Sequence, residues 1–272
     1  MIILAATPIG NLADASTRLV EALEEAQTIA AEDTRTTQRL LAALGITNRP
    51  RVIALHDHNE KDRADDVVEI ARHGDVLLLS DAGMPTVSDP GYGVVAAAAA
   101  AGVTVTAIPG PSAVVTALAV SGLPTDRFTF EGFVPRKPGE RARMLAALDA
   151  EPRTMVFFES PSRTATTLHA MVEAFGPDRR VAVCRELTKL HEQVVRGSLS
   201  EVASWADDGV RGEVVLVLAG AHRRASPFAE AVTQVGALVA EGVRLKDAAG
   251  EVAEATGHSR RDLYQAALAA RN

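Results

Sequence analysis

Residues 76–91 read VLLLSDAGMPTVSDPG and give the strongest indication of the fold. The run Val76–Leu79 is apolar on both faces, as expected for a central strand that helices cover on each side. The twelve residues that follow are mostly small or proline, whereas a strand-to-helix connection usually spans about 2–6 residues. Because open α/β sheets bind ligands at the carboxyl ends of their strands, we interpret residues 80–91 as a ligand-binding loop.

The alternation of strand and helix patterns continues on both sides of this segment. Asp14 is the expected cap of the first helix, and Gly45 is placed to end the second. Repeated alternation of this kind predicts a largely parallel sheet. The other strands predicted for this sheet are Ile2–Ala6, Thr28–Ala31, Val52–Leu55 and Val103–Ile108.

A break in the pattern falls at Pro109-Gly110-Pro111, because two prolines cannot both sit in a central strand or in a helix interior. Strand patterns then resume at Phe128–Phe133, Thr154–Phe158, Val181–Cys184 and Val214–Ala219. After residue 226 only helical patterns occur, at Phe228–Ala240, Leu245–Thr256 and Arg260–Ala270. The predicted fold class is α/β: two consecutive α/β domains with mostly parallel sheets, 1–110 and 111–222, followed by a helical segment, 226–272. Residues 246–268 fit either a helix-turn-helix unit or a plain capping bundle.

Composition excludes several classes of protein. With 272 residues, 47% of them hydrophobic and 23% charged, the chain has the composition of a folded protein of two domains and a small appendage. The longest apolar run, Val94–Ala101, is too short to span a membrane, and the N-terminus lacks a basic leader. One cysteine, Cys184, allows neither an intramolecular disulfide nor a zinc site built on cysteines. We therefore expect a soluble cytoplasmic protein.

The net charge of −7 gives no overall positive field to attract nucleic acid. Binding to RNA would therefore depend on local basic clusters, for which solvated surface charge is the alternative interpretation. The clusters are Arg136, Lys137, Arg141 and Arg143, then Arg223-Arg224, then Arg260-Arg261.

Further polar segments follow other predicted strands. Glu32–Arg35 places two carboxylates and an arginine at a strand-to-helix corner, where helix capping is an alternative to function. The turn Thr7–Leu12 has a single glycine and is a poor dinucleotide loop. The run His56–Glu60, taken with Asp81 and Asp89, has the ligand types of a hard-metal site. Because no helical His-x-x-x-His and no regularly spaced carboxylates accompany it, we predict no metal.

Seven segments occur in an order that matches a known family. They are Thr7–Leu12, Glu32–Arg35, Asp81–Gly91, Pro109–Ala113, Phe130–Arg136, Phe157–Pro161 and Arg185–Lys189. The sequence resembles the tetrapyrrole methylase superfamily, and within it the methyltransferases of small-subunit ribosomal RNA. The resemblance covers nearly the whole chain.

This resemblance implies S-adenosylmethionine as the cofactor, bound in a cleft between the two α/β domains. It implies methylation of the ribose 2′-oxygen of a cytidine in small-subunit (16S) ribosomal RNA, either free or in an assembled small ribosomal subunit, by a homodimer. Carried over by position, the cofactor-binding residues are Pro8, Asp81, Ala82, Gly83, Pro85, Val87, Ser112, Ala113, Phe158, Leu187, Gly212 and Glu213.

A ribose hydroxyl is a poor nucleophile near neutral pH, so a base or a charge-stabilising group should assist its reaction. We predict Glu186 as the base and Lys189 or Arg185 as the group that stabilises the oxyanion, with Asp33 and Glu159 as further catalytic candidates. The predicted RNA contacts are Arg35, Arg136, Lys137, Arg141, Arg143, Arg163, Arg260 and Arg261.

Three other functions stay open at this point. A methyltransferase of tetrapyrroles or other small molecules would share the cofactor but not the substrate. A metal-dependent phosphohydrolase would use Asp33, Asp81 and Asp89. A non-catalytic RNA-associated module would bind RNA without a cofactor pocket.

Overall fold

The structure is a computed structural model that describes residues 1–56, 60–221 and 227–270, without the side chain of Lys61. Part of the predicted metal run (Asp57, His58 and Asn59) and the basic pair Arg223-Arg224 lie outside the described residues. Within these ranges, no helix is long and apolar enough to cross a membrane.

The first half of the chain forms a five-stranded parallel sheet, as predicted. Its strands are β1 (Ile2–Ala5), β2 (Thr28–Ala31), β3 (Arg51–Ala54), β4 (Val76–Leu79) and β5 (Val105–Ile108), in the order β3-β2-β4-β1-β5. The helices between and after them are α1 (Thr17–Glu25), α2 (Thr34–Ala43), α3 (Glu60–His73), α4 (Tyr92–Ala100) and α5 (Ala113–Ser121). Along β4, Val76 and Leu78 belong to one core cluster and Leu77 and Leu79 to another. This central strand is therefore buried on both faces.

The second sheet is mixed, so the prediction of mostly parallel pairing is wrong for it. Its strands are β6 (Phe128–Phe133), β7 (Thr154–Glu159), β8 (Arg180–Arg185), β9 (Gln193–Ser198) and β10 (Val214–Leu218), in the order β6-β7-β10-β8-β9. Only β6 and β7 pair in parallel among the described strands of this sheet. The helices α6 (Pro138–Ala147), α7 (Thr164–Phe175) and α8 (Leu199–Ala206) connect them.

The predicted cap of α1 is wrong. Ser16 caps α1 by accepting a hydrogen bond from the backbone N–H of Leu19, while Asp14 lies in a preceding 3-10 turn. Ser112 occupies the position before α5, but its side chain makes no capping hydrogen bond. Asp33 does cap α2, through a bond from the N–H of Arg35.

The chain packs as two compact units. One comprises Met1–Ala146 and Thr154–Ala219 and contains both sheets. The other comprises Ala147–Arg153 and Gly220–Asn272. The predicted division of the α/β part at residue 110 stays a prediction.

The second unit contains the C-terminal helices α9 (Phe228–Ala240), α10 (Leu245–Thr256) and α11 (Arg260–Ala269). They bury a small core of alanine, valine and leucine side chains, including Val235, Val252 and Leu263. The turn between α10 and α11 uses Gly257 in the left-handed conformation.

Candidate functional site

A cavity of about 390 Å³ lies where the edges of the two sheets meet within the first unit. The first sheet contributes the segments that follow β1, β2, β4 and β5, which are adjacent strands. The second sheet contributes the ends of β6, β7 and β8 and the start of the antiparallel strand β10. The lining residues are Ile9, Glu32, Asp81, Ala82, Gly83, Met84, Val87, Ser88, Asp89, Ser112, Ala113, Val114, Phe133, Phe158, Glu159, Ser160, Pro161, Cys184, Leu187, Glu213, Val214 and Val215.

Hydrogen bonds fix the loop after β4 against the loop after β1. The N–H of Thr7 donates to the carbonyl of Gly83 at 2.9 Å, and the N–H of Gly83 donates to the carbonyl of Thr7 at 3.1 Å. The hydroxyl of Ser80 donates to the Gly83 carbonyl at 3.2 Å. The segments Thr7–Leu12 and Asp81–Gly91, separate in sequence, therefore form one rigid wall.

Backbone strain occurs in the same loop and, at Glu186 and Thr188, on either side of the wall residue Leu187. Thr86 and Ser88 have φ angles of +76° and +62°. Left-handed conformations are uncommon for residues other than glycine, and a β-branched residue such as threonine rarely adopts them. Strain of this kind clusters at functional sites, where surrounding structure holds it in place. Here it brackets Val87, an exposed residue of the cavity wall.

Asp33 serves the local structure more than the cavity. Its carboxylate accepts hydrogen bonds from the N–H and the guanidinium of Arg35, the latter at 2.8 Å from Nη2. The side-chain bond from Arg35 is the main reason why the pKa of Asp33 falls to about 2. Asp81, which does line the cavity, accepts a hydrogen bond from the N–H of Asp33 at 3.2 Å, and partial loss of hydration raises the pKa of Asp81.

Glu186 and Lys189, the predicted base and charge stabiliser, lie close together. They form an ion pair with each other. The Lys189 ammonium lies 3.0 Å from Oε1 of Glu186 and 2.9 Å from Oε2 of Glu213. The N–H of Glu213 donates to Glu186 and is the main cause of its lowered pKa, followed by Lys189. Burial alone would lower the pKa of Lys189, but its bonds to both glutamates raise it overall.

Gly212 is required for this arrangement, because a Cβ there would overlap the side chain of Glu186. Arg185 points to other partners: its Nε donates to Oε1 of Gln193 at 2.9 Å and its Nη1 to the carbonyl of Arg211.

Glu159 is the one predicted catalytic residue of the five that lines the cavity within the described chain. Its buried carboxylate accepts hydrogen bonds from Thr167 at 2.6 Å, from Arg163 at 2.8 Å and from the N–H of Ser160 at 2.7 Å. Three hydrogen-bond donors therefore hold this carboxylate rigidly in place.

Nine of the twelve residues carried over for the cofactor lie on the cavity wall: Asp81, Ala82, Gly83, Val87, Ser112, Ala113, Phe158, Leu187 and Glu213. Pro8, Pro85 and Gly212 are not among the residues described as lining it. Pro85 is buried in the loop, and Gly212 makes room for Glu186. Sequence reasoning missed several apolar wall residues, among them Ile9, Val114 and Phe133, because single apolar residues near strand ends look like ordinary core.

Cys184 also lines the cavity, and burial raises the pKa of its thiol to about 11. A thiol held protonated in this way is a poor nucleophile, which agrees with its position in a strand. Among the described residues, no group of three or more His, Cys, Asp or Glu side chains is placed to hold a metal ion.

Four of the eight predicted RNA contacts are engaged within the protein. Arg35 pairs with Asp33, Lys137 with Glu140, and Arg163 with Glu159 and the Val134 carbonyl. Arg260 donates to the carbonyl of Lys246. In the part of the chain that the structure describes, no side-chain partner is found for the others, Arg136, Arg141, Arg143 and Arg261.

Residues 1–203 match the family Tetrapyrrole (Corrin/Porphyrin) Methylases, and residues 226–271 match the RsmI C-terminal HTH domain. The second match favours the helix-turn-helix interpretation of the C-terminal helices over a plain capping bundle.

Several relatives are named "Ribosomal RNA small subunit methyltransferase I". The one from Mycobacterium tuberculosis (strain CDC 1551 / Oshkosh) is 51% identical over 272 residues, covering 99% of this chain and 95% of the relative. The one from Escherichia coli O157:H7 is 41% identical over 266 residues, covering 96% of this chain and 92% of the relative.

Solved structures share the fold at low sequence identity. The methyltransferase CobJ superposes with a TM-score of 0.59 at 22% identity, covering 81% of this chain and 94% of that one. Diphthine synthase superposes with a TM-score of 0.58 at 19% identity, covering 80% and 89%. Both similarities extend over most of each chain, and at these identities they concern the fold alone.

Proposed function

The chain belongs to the tetrapyrrole methylase family, in the group of the small-subunit ribosomal RNA methyltransferases, and from this premise we propose that it methylates the ribose 2′-oxygen of a cytidine in small-subunit ribosomal RNA. The methyl donor is S-adenosylmethionine. The observation that carries the proposal is the cavity at the meeting edges of the two sheets, because the family resemblance and the geometry identify the same loops.

The residues of the cavity fit this cofactor. Much of the wall is apolar, from Ile9, Met84, Val87, Ala113 and Phe158, which suits adenosine and the methionine chain. Five carboxylates also border the cavity: Glu32, Asp81, Asp89, Glu159 and Glu213. Arg163 and Lys189 offset the charges of Glu159 and Glu213, and the carboxylates together still outnumber these two cations, which favours a cationic ligand. When bound, S-adenosylmethionine supplies an electrophilic methyl group on a positively charged sulfur.

The protein's part in such a transfer is mainly positioning. An in-line displacement gains most from holding the two reacting atoms close together and aligned. The hydrogen bonds between Thr7 and Gly83 keep two loops of the wall fixed, so little reordering is needed on binding. The apolar wall excludes water and favours a transition state in which charge is being lost.

The base predicted from the sequence is Glu186, and Asp81 is the better supported candidate. Glu186 is paired with Lys189, and its lowered pKa makes it a weak proton acceptor. Asp81 borders the cavity, and its raised pKa increases its affinity for a proton. For the pair of Glu186 and Lys189 we infer a positioning role that holds Glu213 at the wall.

A homodimer, a cytoplasmic location and recognition of either free or assembled RNA complete the proposal. The resemblance supports the homodimer. The absence of overall positive charge supports a substrate recognised by local contacts, since long-range attraction to RNA is weak.

The experiment that tests the function offers three substrates side by side. Purified small ribosomal subunits, naked small-subunit RNA and a porphyrinoid are each incubated with the protein and radiolabelled S-adenosylmethionine. We expect label in RNA, on the 2′-oxygen of a cytidine after digestion to nucleosides. Label in the porphyrinoid, with RNA unlabelled, would contradict the proposal.

A further inference from the structure

Phe133 is a large apolar side chain that the fold leaves in solvent at the cavity. It is 59% exposed and ends strand β6, and its ring is part of the cavity wall. A single exposed phenylalanine needs no explanation on a protein surface. This one differs because the backbone changes its geometry to put the ring there.

The change is a β-bulge between β6 and β7. Phe130 pairs with Val156 and Phe133 with Phe158, so three residues advance on β6 against two on β7. Side chains alternate between the faces of a strand, so regular pairing would set Phe133 opposite Glu159, on the other face. The extra residue instead returns Phe133 to the face of Phe130 and Phe158. Gly132, with a φ of +68°, supplies the left-handed conformation at this place.

Two other phenylalanine side chains hold the Phe133 ring in position. Phe158 lies edge-on to Phe133, with ring centroids 5.5 Å apart and planes at 62°, and Phe130 lies edge-on to Phe158 at 4.8 Å. Edge-to-face pairs of this kind are a preferred aromatic geometry. Gly132 faces the Ser88 hydroxyl, so the bulge also adjoins the strained loop of the cavity wall. Phe133 is therefore held in place while more than half of its surface stays available.

We propose that Phe133 is a stacking platform for the nucleobase of the target nucleotide, which holds the ribose over the methyl donor. This inference rests on the proposed function. Proteins recognise RNA mainly through unstacked bases, which they hold against aromatic side chains. Stacking needs no positive charge, which suits a cavity bordered by carboxylates. Stacking accepts the flat ring of any base, so other contacts must distinguish one base from another.

The test compares four variants with the wild type. Phe133→Ala removes the ring, Phe133→Leu keeps an apolar side chain without a π-face, and Phe133→Trp restores a π-face. Phe128→Ala is the matched control, because Phe128 is an exposed phenylalanine of the same strand that is not among the residues lining the described cavity. For each protein, we would measure S-adenosylmethionine affinity by calorimetry and kcat/KM for ribosomal RNA.

We expect Phe133→Ala and Phe133→Leu to lose roughly 5- to 150-fold in kcat/KM for RNA, the range for loss of one stacked base. Their affinity for S-adenosylmethionine should match that of the wild type, and Phe133→Trp and Phe128→Ala should retain activity. Since Trp205 is the single native tryptophan, the fluorescence of Phe133→Trp should also be quenched on RNA binding beyond any change in the wild type.

Unchanged kcat/KM in Phe133→Ala, or equal activity of the Leu and Trp variants, would overturn the platform while leaving the proposed function intact. A wild type that binds the cofactor but leaves RNA unlabelled would refute the proposed function itself. The two failures are therefore distinguishable.

Discussion

Asp33 lies beside the site, and its charged carboxylate stabilises the fold. It caps α2 and pairs with Arg35, and these interactions depress its pKa. Neither Asp33 nor Arg35 is among the residues that line the described cavity, and helix capping and their ion pair account for the placement of both. Glu32 lines the cavity instead.

These interactions of Asp33 predict that the free energy of unfolding depends on pH. The folded-state pKa of Asp33, about 2, is lower than its ordinary value of 3.8. The stabilisation is therefore complete above pH 4 and is lost as the pH falls from about 4 to about 2. Asp33→Asn keeps the capping ability but cannot titrate. The difference in free energy of unfolding between wild type and variant, from urea titrations, should shrink over that interval, and a constant difference would contradict this prediction.

Single substitutions at Asp81 and Glu186 distinguish the two candidates for the catalytic base. We expect Asp81→Asn to lower the single-turnover rate of methyl transfer about 100-fold or more, as loss of a general base does. Glu186→Gln should keep a rate near that of the wild type and weaken cofactor binding, because its role is positioning. The measurement is rapid-quench transfer of label from enzyme saturated with S-adenosylmethionine. The reverse pattern, a slow Glu186→Gln and a normal Asp81→Asn, would return the role to Glu186.

At the scale of elements, the bulge in β6 depends on the left-handed backbone of Gly132. Substitution of this glycine measures how much stability that conformation costs any other residue. In Gly132→Ala, the added Cβ would lie 3.7 Å from the Ser88 Oγ and, apart from its own chain neighbours, within 4 Å of no other described atom, so the methyl group fits. The left-handed backbone should nevertheless destabilise the variant by about 1 kcal/mol. Gly139→Ala is the control: Gly139 lies in α6 without positive φ, and nothing lies within 4 Å of an added Cβ. Equal free energies of unfolding for the two variants would contradict the strained bulge.

The elements of the first sheet could be predicted almost completely from the sequence, but strand direction in the second could not. Apolar runs such as Val76–Leu79 and Val214–Leu218 show that a strand is buried, and burial looks the same in parallel and antiparallel pairing. Strand β9 escaped prediction because it is an edge strand that carries Gln193, Arg196 and Ser198. The bulge that directs Phe133 depends on pairing register, which the sequence does not display.

Of the candidate site, the sequence revealed the loops and the family resemblance supplied their residues. Three of the missed contacts, Ile9, Val114 and Val215, look like core positions in the sequence and become wall residues only when the two sheet edges meet. Glu186 and Lys189 were predicted by their chemistry. Their ion pair joins residues three positions apart, but the contacts that both make with Glu213, 27 residues from Glu186, could not be read from local sequence.

For the whole molecule, an acidic chain that acts on RNA must concentrate its binding in a few basic residues. Arg136, Arg141 and Arg143 are candidates, because no side-chain partner occupies them in the described chain. Each contact with a phosphate of single-stranded RNA adds about 0.7 to the slope of log K against log salt. The combined alanine variant should lower that slope by about 2, measured by RNA binding at several salt concentrations.

The control for this prediction removes equal charge elsewhere. Arg18, Arg39 and Arg63 are exposed arginines on the helices α1, α2 and α3. Their combined replacement by alanine should leave the slope nearly unchanged. If both triple variants lower the slope equally, binding depends on net charge, and the basic cluster has no special role.

We propose that the cavity between the sheet edges holds S-adenosylmethionine, and calorimetric titration tests this binding most directly. Ala113 lines the cavity at the start of α5, whereas Ala119 is an exposed residue of the same helix outside the described lining. The wild type should bind S-adenosylmethionine and its demethylated product, Ala113→Leu should bind about tenfold more weakly or worse through overpacking, and Ala119→Leu should match the wild type. No heat with the wild type, or equal affinity in both variants, would contradict the account.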